Sequence, residues 1–155
     1  MELQGIVSSG LGRAHVFMAQ PHYQDQFQSL LGQKAWPGTL NMVVDGTCLV
    51  NYIALRQKAG IDTLDATSEL RVQAQDIETA NYAAHRVRGF LRDGVSFGGA
   101  TAFHATLIHS DTPLECAVLI PDLTRHVDVV EVISPFFIRE KFGLVDGDLL
   151  NLIIH

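Results

Sequence analysis

The sequence predicts a small, mainly β domain in which about eight short strands close into a barrel with a few inserted helices. Two observations favour this fold class. Short apolar or alternating runs recur between turn signals, and the helical segments are too few for a βαβ pattern. The 155 residues, 47% of them hydrophobic, are enough for one buried core. Because closure removes exposed strand edges, a barrel is favoured over an open sheet.

The first third of the chain contains two glycine-marked turns. The run Leu3–Ser8 predicts a strand, and the glycines of SGLGRAHVFM predict a tight turn followed by a second strand over Ala14–Ala19. Pro21 opens a segment with helical apolar spacing, and Gly32 suits its C-terminal end. A Pro-Gly turn then precedes a strand over Thr39–Val44.

The middle of the chain differs in composition from both ends. The run CLVNYIALRQKAG predicts a helix that stops at Gly60, and the residues after it are mixed. We expect a single domain over 1–155 with an internal insertion at about 47–85. Asp93-Gly94 then predicts a hairpin. Further strands are predicted in ATAFHATLI, LECAVLIP, VDVVEVISP and LLNLII, and a short helix in FFIREKFG.

Composition argues against several classes of protein. The chain has 17 acidic and 11 basic residues and a net charge of −6, whereas binding to nucleic-acid phosphates needs a basic face. We therefore expect no nucleic-acid partner. No signal peptide and no run of about 20 apolar residues is present, so we expect no membrane partner. Two cysteines without CxxC spacing indicate a reducing compartment and a cytoplasmic protein.

Three groups of residues suggest chemistry, each with an ordinary alternative. The Gly10–Gly12 turn offers backbone N–H groups to an anion, with Arg13 beside it, although it also fits a plain turn. Thr39 and Asn41 share a strand face and can ligate a hard cation, or form a solvated polar pair. Glu131, within an apolar strand, faces either a ligand cavity or solvent.

The short C-terminal helix carries a further candidate cation. Arg139 can pair with a phosphate, or with Glu140 or Asp146 in a surface ion pair. The seven histidines show no zinc-site spacing.

The order of the motifs carries more information than any one of them. Six motifs follow one another along the chain: GIVSSGLG, PHYQDQF, PGTLN, FGGATAFHATLI, AVLIPDLTRH and VVEVISPFFIREKFGLVDGD. In this order they give the chain a resemblance to the CTP-dependent riboflavin kinases over residues 5–44 and 86–154. This resemblance implies a six-stranded cradle-loop barrel. It also implies Mg²⁺-dependent transfer of the γ-phosphate of CTP to the 5′-hydroxyl of riboflavin, giving FMN and CDP.

The resemblance also assigns roles to residues. Thr39 and Asn41 match the metal-holding pair, and Thr124 and Glu131 match flavin contacts. No general base follows from the sequence; Glu131 and Asp128 are candidates if they face the ribityl end. The positions that match nucleotide-binding residues are Gly10, Leu11, Gly12, Arg13, Ala14, His15, Phe136, Phe137, Ile138 and Arg139.

Two departures from the family pattern leave alternatives open. The chain has Gly12-Arg13-Ala14 where the family usually has Gly-Glu-Gly. Because of this difference, two alternatives stay open: a non-catalytic flavin- or nucleotide-binding barrel, or a kinase for another small alcohol. The segment 47–85 is longer than the family's usual connection and would serve as a lid, a dimer contact or a specificity element. The oligomeric state and the preference between CTP and ATP do not follow from the sequence.

Overall fold

The computed structural model describes residues 1–10, 12–124 and 126–155. Within these ranges the chain forms nine strands and five helices. In chain order they are β1 (Glu2–Ser8), α1 (Ala14–Met18), α2 (Pro21–Leu31), β2 (Leu40–Val43), α3 (Gly46–Lys58), α4 (Ser68–Gln75), β3 (His85–Val87), β4 (Phe90–Arg92), β5 (Val95–Phe97), β6 (Ala100–His109), β7 (Thr112–Pro121), β8 (Val129–Ile133), α5 (Ile138–Phe142) and β9 (Leu149–Ile154).

Six of the strands form a closed antiparallel barrel. Their order is β6-β7-β8-β2-β1-β9, and β9 pairs back with β6. The short strand β3 extends the sheet at β6, while β4 and β5 form a separate hairpin. The predicted mainly β fold, with a six-stranded barrel and a few short helices, is therefore confirmed.

Side chains that point inwards from alternate positions of the strands fill the barrel interior. Phe103, Ala105 and Leu107 alternate along β6 and are all fully buried. Leu40 and Met42 from β2 meet them in the same cluster. Because large apolar side chains buried in this way contribute about 1.5–3 kcal/mol each, this interior is the main source of stability.

The helix α2 covers the outside of the barrel. Its Tyr23 and Phe27 pack in a second core cluster against β6, β7 and β8. As predicted, a proline opens this helix, and Gly32 ends it with a φ of 78°. The predicted hairpin is also present, with positive φ at Asp93 and Gly94 joining β4 to β5.

The strand predicted over Ala14–Ala19 is wrong, because this segment is the short helix α1. Both edges of β1 are already occupied, by β2 on one side and β9 on the other. A strand following β1 would therefore have no edge to pair with. The chain instead leaves the barrel beyond Gly12, which has a φ of 70°, and buries Met18 against α2.

The helices α3 and α4 form a separate layer. As predicted, α3 is helical, and its Val50, Ile53 and Ala54 form a cluster with residues around α4. The mixed stretch after it contains α4 and β3. The helix α5 is also confirmed, ending at Gly143 with a φ of 61°. None of the helices in the described ranges has the length and apolarity needed to cross a membrane.

Candidate functional site

Three adjacent strands place the predicted polar residues side by side. Ser8 of β1 lies opposite Asn41 of β2, which in turn lies opposite Glu131 of β8. The Thr39 hydroxyl oxygen lies 3.2 Å from Asn41 Oδ1 and 3.2 Å from Glu131 Oε1. Since Leu40 points into the core, Thr39 and Asn41 share the other face, as their spacing predicted.

The glycine loop after β1 lies directly against this group. A Cβ atom at Gly10 would be 2.4 Å from Asn41 Nδ2, closer than real side chains allow. With glycine at this position, the backbone approaches the Asn41 amide without displacing that side chain. The strand register and this close contact bring the glycine loop and the Thr-x-Asn pair together.

A cavity of about 710 Å³, called here the polar cavity, opens between these elements. It collects most of the sequence-predicted site residues from four separate parts of the chain. Leu11, also predicted, lies outside the described residues. The lining residues are Ser8, Ser9, Gly10, Gly12, Arg13, Ala14, His15, Gly38, Thr39, Asn41, Thr124, His126, Val129, Glu131 and Arg139.

A second cavity of about 440 Å³, called here the apolar cavity, adjoins the first. Its walls come from α1, α2 and the β4–β5 hairpin together with the barrel strands β6, β7 and β8, and Phe17, Tyr23, Phe27 and Phe97 are among the lining residues. Thr39 and Glu131 line both cavities, together with Arg13 and Ala14. The sequence did not predict this cavity, because the spacing of Tyr23 and Phe27 fits a helix packed on the core as well as it fits a cavity wall.

Glu131 lies where the two cavities meet. Burial raises its pKa, and the Thr39 hydroxyl and the charge of His126 partly offset that rise. A carboxylate held in a cavity against a desolvation cost is typical of functional sites. Asp128, the other candidate base, is absent from the lining of both cavities within the described part of the chain.

Arg139 closes one side of the polar cavity. Its guanidinium lies 2.6 Å from Asp146 Oδ1 and donates to the Ser8 carbonyl at 3.0 Å. The Ser9 hydroxyl donates to the same carboxylate at 2.7 Å. Hydrogen bonds from Arg139, and then from Ser9, lower the pKa of Asp146. Of the two ion-pair partners considered, Asp146 is the one that Arg139 contacts, and the pair fixes the start of the glycine loop.

The stretch before α5 lies beside the polar cavity rather than within it. Phe136, Phe137 and Ile138 line a small neighbouring cavity of about 80 Å³, which shares Thr39 and Arg139 with the polar cavity. Phe137 stacks on Trp36, with ring centroids 4.9 Å apart and planes 5° from parallel. This exposed stacked pair presents a flat aromatic surface at the rim.

The donor set of the polar cavity fits a hard cation. Hydroxyl, amide and carboxylate oxygens converge at Thr39, Asn41 and Glu131. Mg²⁺ prefers oxygen ligands and often takes only one or two from protein, with phosphates and water completing its shell. Among the described residues, no group of three or more His, Cys, Asp or Glu side chains is arranged to hold a metal. These residues therefore fit a metal shared with a phosphate rather than a closed protein site.

Comparisons with known proteins found a family model and several relatives that match most of this chain. A family model named CTP-dep_RFKase, described as "Domain of unknown function DUF120", matches residues 7–71 and 54–154. The chain is 33% identical over 156 residues to the riboflavin kinase of Halobacterium salinarum, covering 98% of this chain and 56% of that protein. It is 29% identical over 153 residues to the riboflavin kinase of Thermoplasma acidophilum, covering 99% of this chain and 57% of that protein.

A third relative is similar in length to the chain. The riboflavin kinase of Sulfurisphaera tokodaii is 30% identical over 157 residues, covering 100% of this chain and 96% of that protein. The chain thus spans a little over half of the first two relatives and nearly all of the third.

Proposed function

The chain belongs to the CTP-dependent riboflavin kinase family, and on that basis we propose that it transfers the γ-phosphate of CTP to the 5′-hydroxyl of riboflavin. The products are FMN and CDP, and the reaction uses Mg²⁺. The observation that carries this proposal is the meeting of a polar and an apolar cavity at Thr39 and Glu131. One cavity suits a triphosphate and the other suits a flat apolar ring.

The polar cavity supplies what phosphate binding requires. Gly10 and Gly12 line this cavity, so their backbone N–H groups are available to an anion, and the Arg13 side chain adds positive charge. Arg139, already held by Asp146, adds a second guanidinium beside the start of the glycine loop. We assign the nucleotide base to the rim formed by Trp36 and Phe137, where aromatic faces are exposed.

Two residues at the start of β2 would hold the metal. Thr39 and Asn41 would hold Mg²⁺ through their side-chain oxygens, in keeping with its preference for such ligands. A metal held by these residues would supply positive charge to offset that of the phosphate oxygens.

The apolar cavity would take the isoalloxazine ring. Phe17, Tyr23, Phe27 and Phe97 offer apolar and aromatic surface to a planar ligand. The ribityl chain would then extend past Glu131 towards the polar cavity, so that its 5′-hydroxyl reaches the γ-phosphate. Thr124 lines the polar cavity, so its contact would be with the ribityl chain.

Glu131 is the group best placed to accept the hydroxyl proton. Its oxygen is held by the Thr39 hydroxyl at 3.2 Å, and burial raises its pKa towards the working range of a general base. The bond from the 5′-oxygen to phosphorus forms as the bond to the β-phosphate oxygen breaks, and the proton passes to the carboxylate. The remaining residues contribute positioning and charge neutralisation, which dominate phosphoryl transfer.

The predicted cellular setting agrees with this chemistry. Cys48 and Cys116 are both free thiols, as a reducing compartment favours. We therefore place the enzyme in the cytoplasm, with small molecules as its substrates.

Turnover with two nucleotides tests the proposal. Purified protein is incubated with riboflavin and Mg²⁺, with CTP and ATP in parallel, and FMN is separated chromatographically. We expect FMN and CDP in the CTP reaction. FMN formed with ATP alone would overturn the assigned donor, and flavin binding without product would favour a non-catalytic barrel. Absence of flavin binding would favour a kinase for another small alcohol.

A further inference from the structure

Arg56 is buried behind the site rather than in it. It lies near the C-terminal end of α3 with 1% of its surface exposed, the largest fully buried side chain in the described chain. Its Nη2 donates to the Asp62 carbonyl at 2.7 Å, and the guanidinium carbon lies 6.0 Å from the Tyr52 ring centroid. A fully buried arginine is rare and needs a physical reason.

Backbone carbonyls, rather than a carboxylate, surround this charge. Across the described ranges, the ion pairs involve other residues, Arg86 with Asp122 and Arg139 with Asp146. The negative end of the α3 dipole and the carbonyl oxygens compensate the guanidinium, although its Nε has no partner among the described residues. Burial of a charge in this way costs stability, so packing alone does not account for Arg56.

The guanidinium connects α3 to the segment between β7 and β8. Its Nη1 lies 3.3 Å from the His126 carbonyl, and its Nη2 lies 3.5 Å from the Thr124 carbonyl. Both residues line the polar cavity. One side chain thus joins two segments of the chain, because the same guanidinium also holds Asp62.

The segment over residues 122–128 is called here the β7–β8 loop, and the structure describes it at residues 122–124 and 126–128. Its ends are fixed by backbone bonds, from Asp122 N to Gly99 O at 3.0 Å and from Val44 N to Asp128 O at 2.9 Å. Between them, Val127 packs against the α3–α4 cluster. The helix α3 therefore supports this wall of the cavity through one charged and one apolar contact.

We propose that Arg56 is a positioning residue for substrate binding. Its fork of donors fixes the carbonyls of Thr124 and His126, and so sets where this loop places the Thr124 side chain in the polar cavity. This identifies α3, within the segment 47–85, as a support for the site rather than a lid. The identity of the substrate rests on the proposed function, whereas the support of the loop does not.

Two arginine variants and two measurements test the inference. Arg56→Met removes the donors while keeping apolar length, and Arg71→Met is the matched control, because Arg71 lies on α4 and bonds Ser68 within its own helix. For Arg56→Met we expect KM for riboflavin to rise about tenfold, with kcat and KM for CTP changed less than about threefold. Arg71→Met should match the wild type in all three.

Hydrogen exchange gives a readout that needs no turnover. In Arg56→Met, the amides of Thr124 and Val44 should exchange faster than in the wild type, while the amides of β1 and β9 keep their protection. The same peptides in Arg71→Met should exchange as in the wild type. Faster exchange in a protein that forms no FMN would contradict the proposed function while supporting this inference.

The conservative variant keeps the test decisive if Arg56→Met does not fold. Arg56→Lys retains the charge but lacks the planar fork that reaches several carbonyls at once. It should fold, with an intermediate KM for riboflavin and intermediate exchange at Thr124. A folded variant at Arg56 with wild-type KM for riboflavin and wild-type exchange in the β7–β8 loop would overturn the inference.

Discussion

The polar and the apolar cavities are built from different parts of the chain by different rules. Barrel strands and the loop after β1 form the polar cavity, where backbone positions and short side chains matter. The apolar cavity lies outside the barrel, between α1, α2 and the β4–β5 hairpin, and is shaped by large side chains. Thr39 and Glu131 belong to both.

This difference indicates how the proposed reaction is divided. In our proposal, phosphate chemistry is assigned to the barrel strands and the loop after β1, and recognition of the ring is assigned to packed helices and a hairpin. A change in one cavity should therefore alter one substrate more than the other. A change at the junction should instead affect the transfer step between the two substrates, and the following predictions test that separation.

The largest effect is expected at the junction itself. Glu131→Gln removes the proposed proton acceptor while keeping shape and a hydrogen-bond acceptor for Thr39, so kcat should fall by at least about 10²-fold. Flavin and CTP binding should change little. Binding of each substrate, measured by fluorescence titration, and kcat for FMN formation would check this. A variant with near wild-type kcat would remove Glu131 from the reaction.

The same variant has a defined pH dependence of stability. Because the folded-state pKa of Glu131 is raised above its ordinary value of 4.5, ionisation of this group costs the wild type stability as pH rises through that region. Glu131→Gln lacks that cost. Its Tm should match the wild type near pH 4 and exceed it near pH 7. A Tm difference that is the same at both values would contradict the burial effect.

The next effect is expected at Asn41, on the polar side alone. Asn41→Ala removes a proposed metal ligand, so Mg²⁺-dependent kcat should fall about 10²-fold while Tm changes only slightly. Asn51→Ala is the matched control, because Asn51 lies on α3 and contacts the Glu2 carbonyl instead. Titration of Mg²⁺ against FMN formation checks this. Equal loss of folding and turnover would mean that Asn41 is merely structural.

A smaller effect is expected from Gly10→Ala. The added methyl would lie 2.4 Å from Asn41 Nδ2, so the Asn41 side chain or the loop must shift, and kcat/KM for CTP should fall about 10- to 30-fold. Gly98→Ala is the control, because its methyl would meet no atom within 4 Å and Gly98 lines the apolar cavity instead of the polar cavity. If both variants behave alike in steady-state kinetics, the close approach at Gly10 has no role in nucleotide binding.

The smallest effect is expected on the apolar side. Phe17→Ala removes part of the wall of the apolar cavity, so KM for riboflavin should rise about fivefold while KM for CTP stays constant. Val16→Ala, on the same helix and largely exposed, is the control. An equal rise in both KM values would end the separation of the two cavities.

Strand patterns made most of the fold predictable. The runs that became β1, β2, β6 and β8 alternate or are apolar throughout, and the turn at Asp93-Gly94 has a characteristic sequence. The segment Ala14–Met18 was misjudged because its five residues fit a strand or a helix, and only the occupied edges of β1 decide between them. That information is tertiary and absent from local sequence.

The candidate site was predictable in parts. The spacing of Thr39 and Asn41 indicated a shared face, and the motif order indicated the family that the comparisons show. Arg56 and the apolar cavity could not be predicted, because a helical arginine is usually solvated and an aromatic helix face is usually core. Both depend on which loops the fold brings beside them.

The separation of the two cavities is tested most directly by a crystal structure with CDP, Mg²⁺ and riboflavin bound. We predict phosphates against the loop after β1 with the metal at Thr39 and Asn41, and the isoalloxazine ring between α2 and the β4–β5 hairpin. The ribityl 5′-oxygen should lie beside Glu131. A ring bound within the polar cavity, or phosphates far from Thr39 and Asn41, would contradict the account.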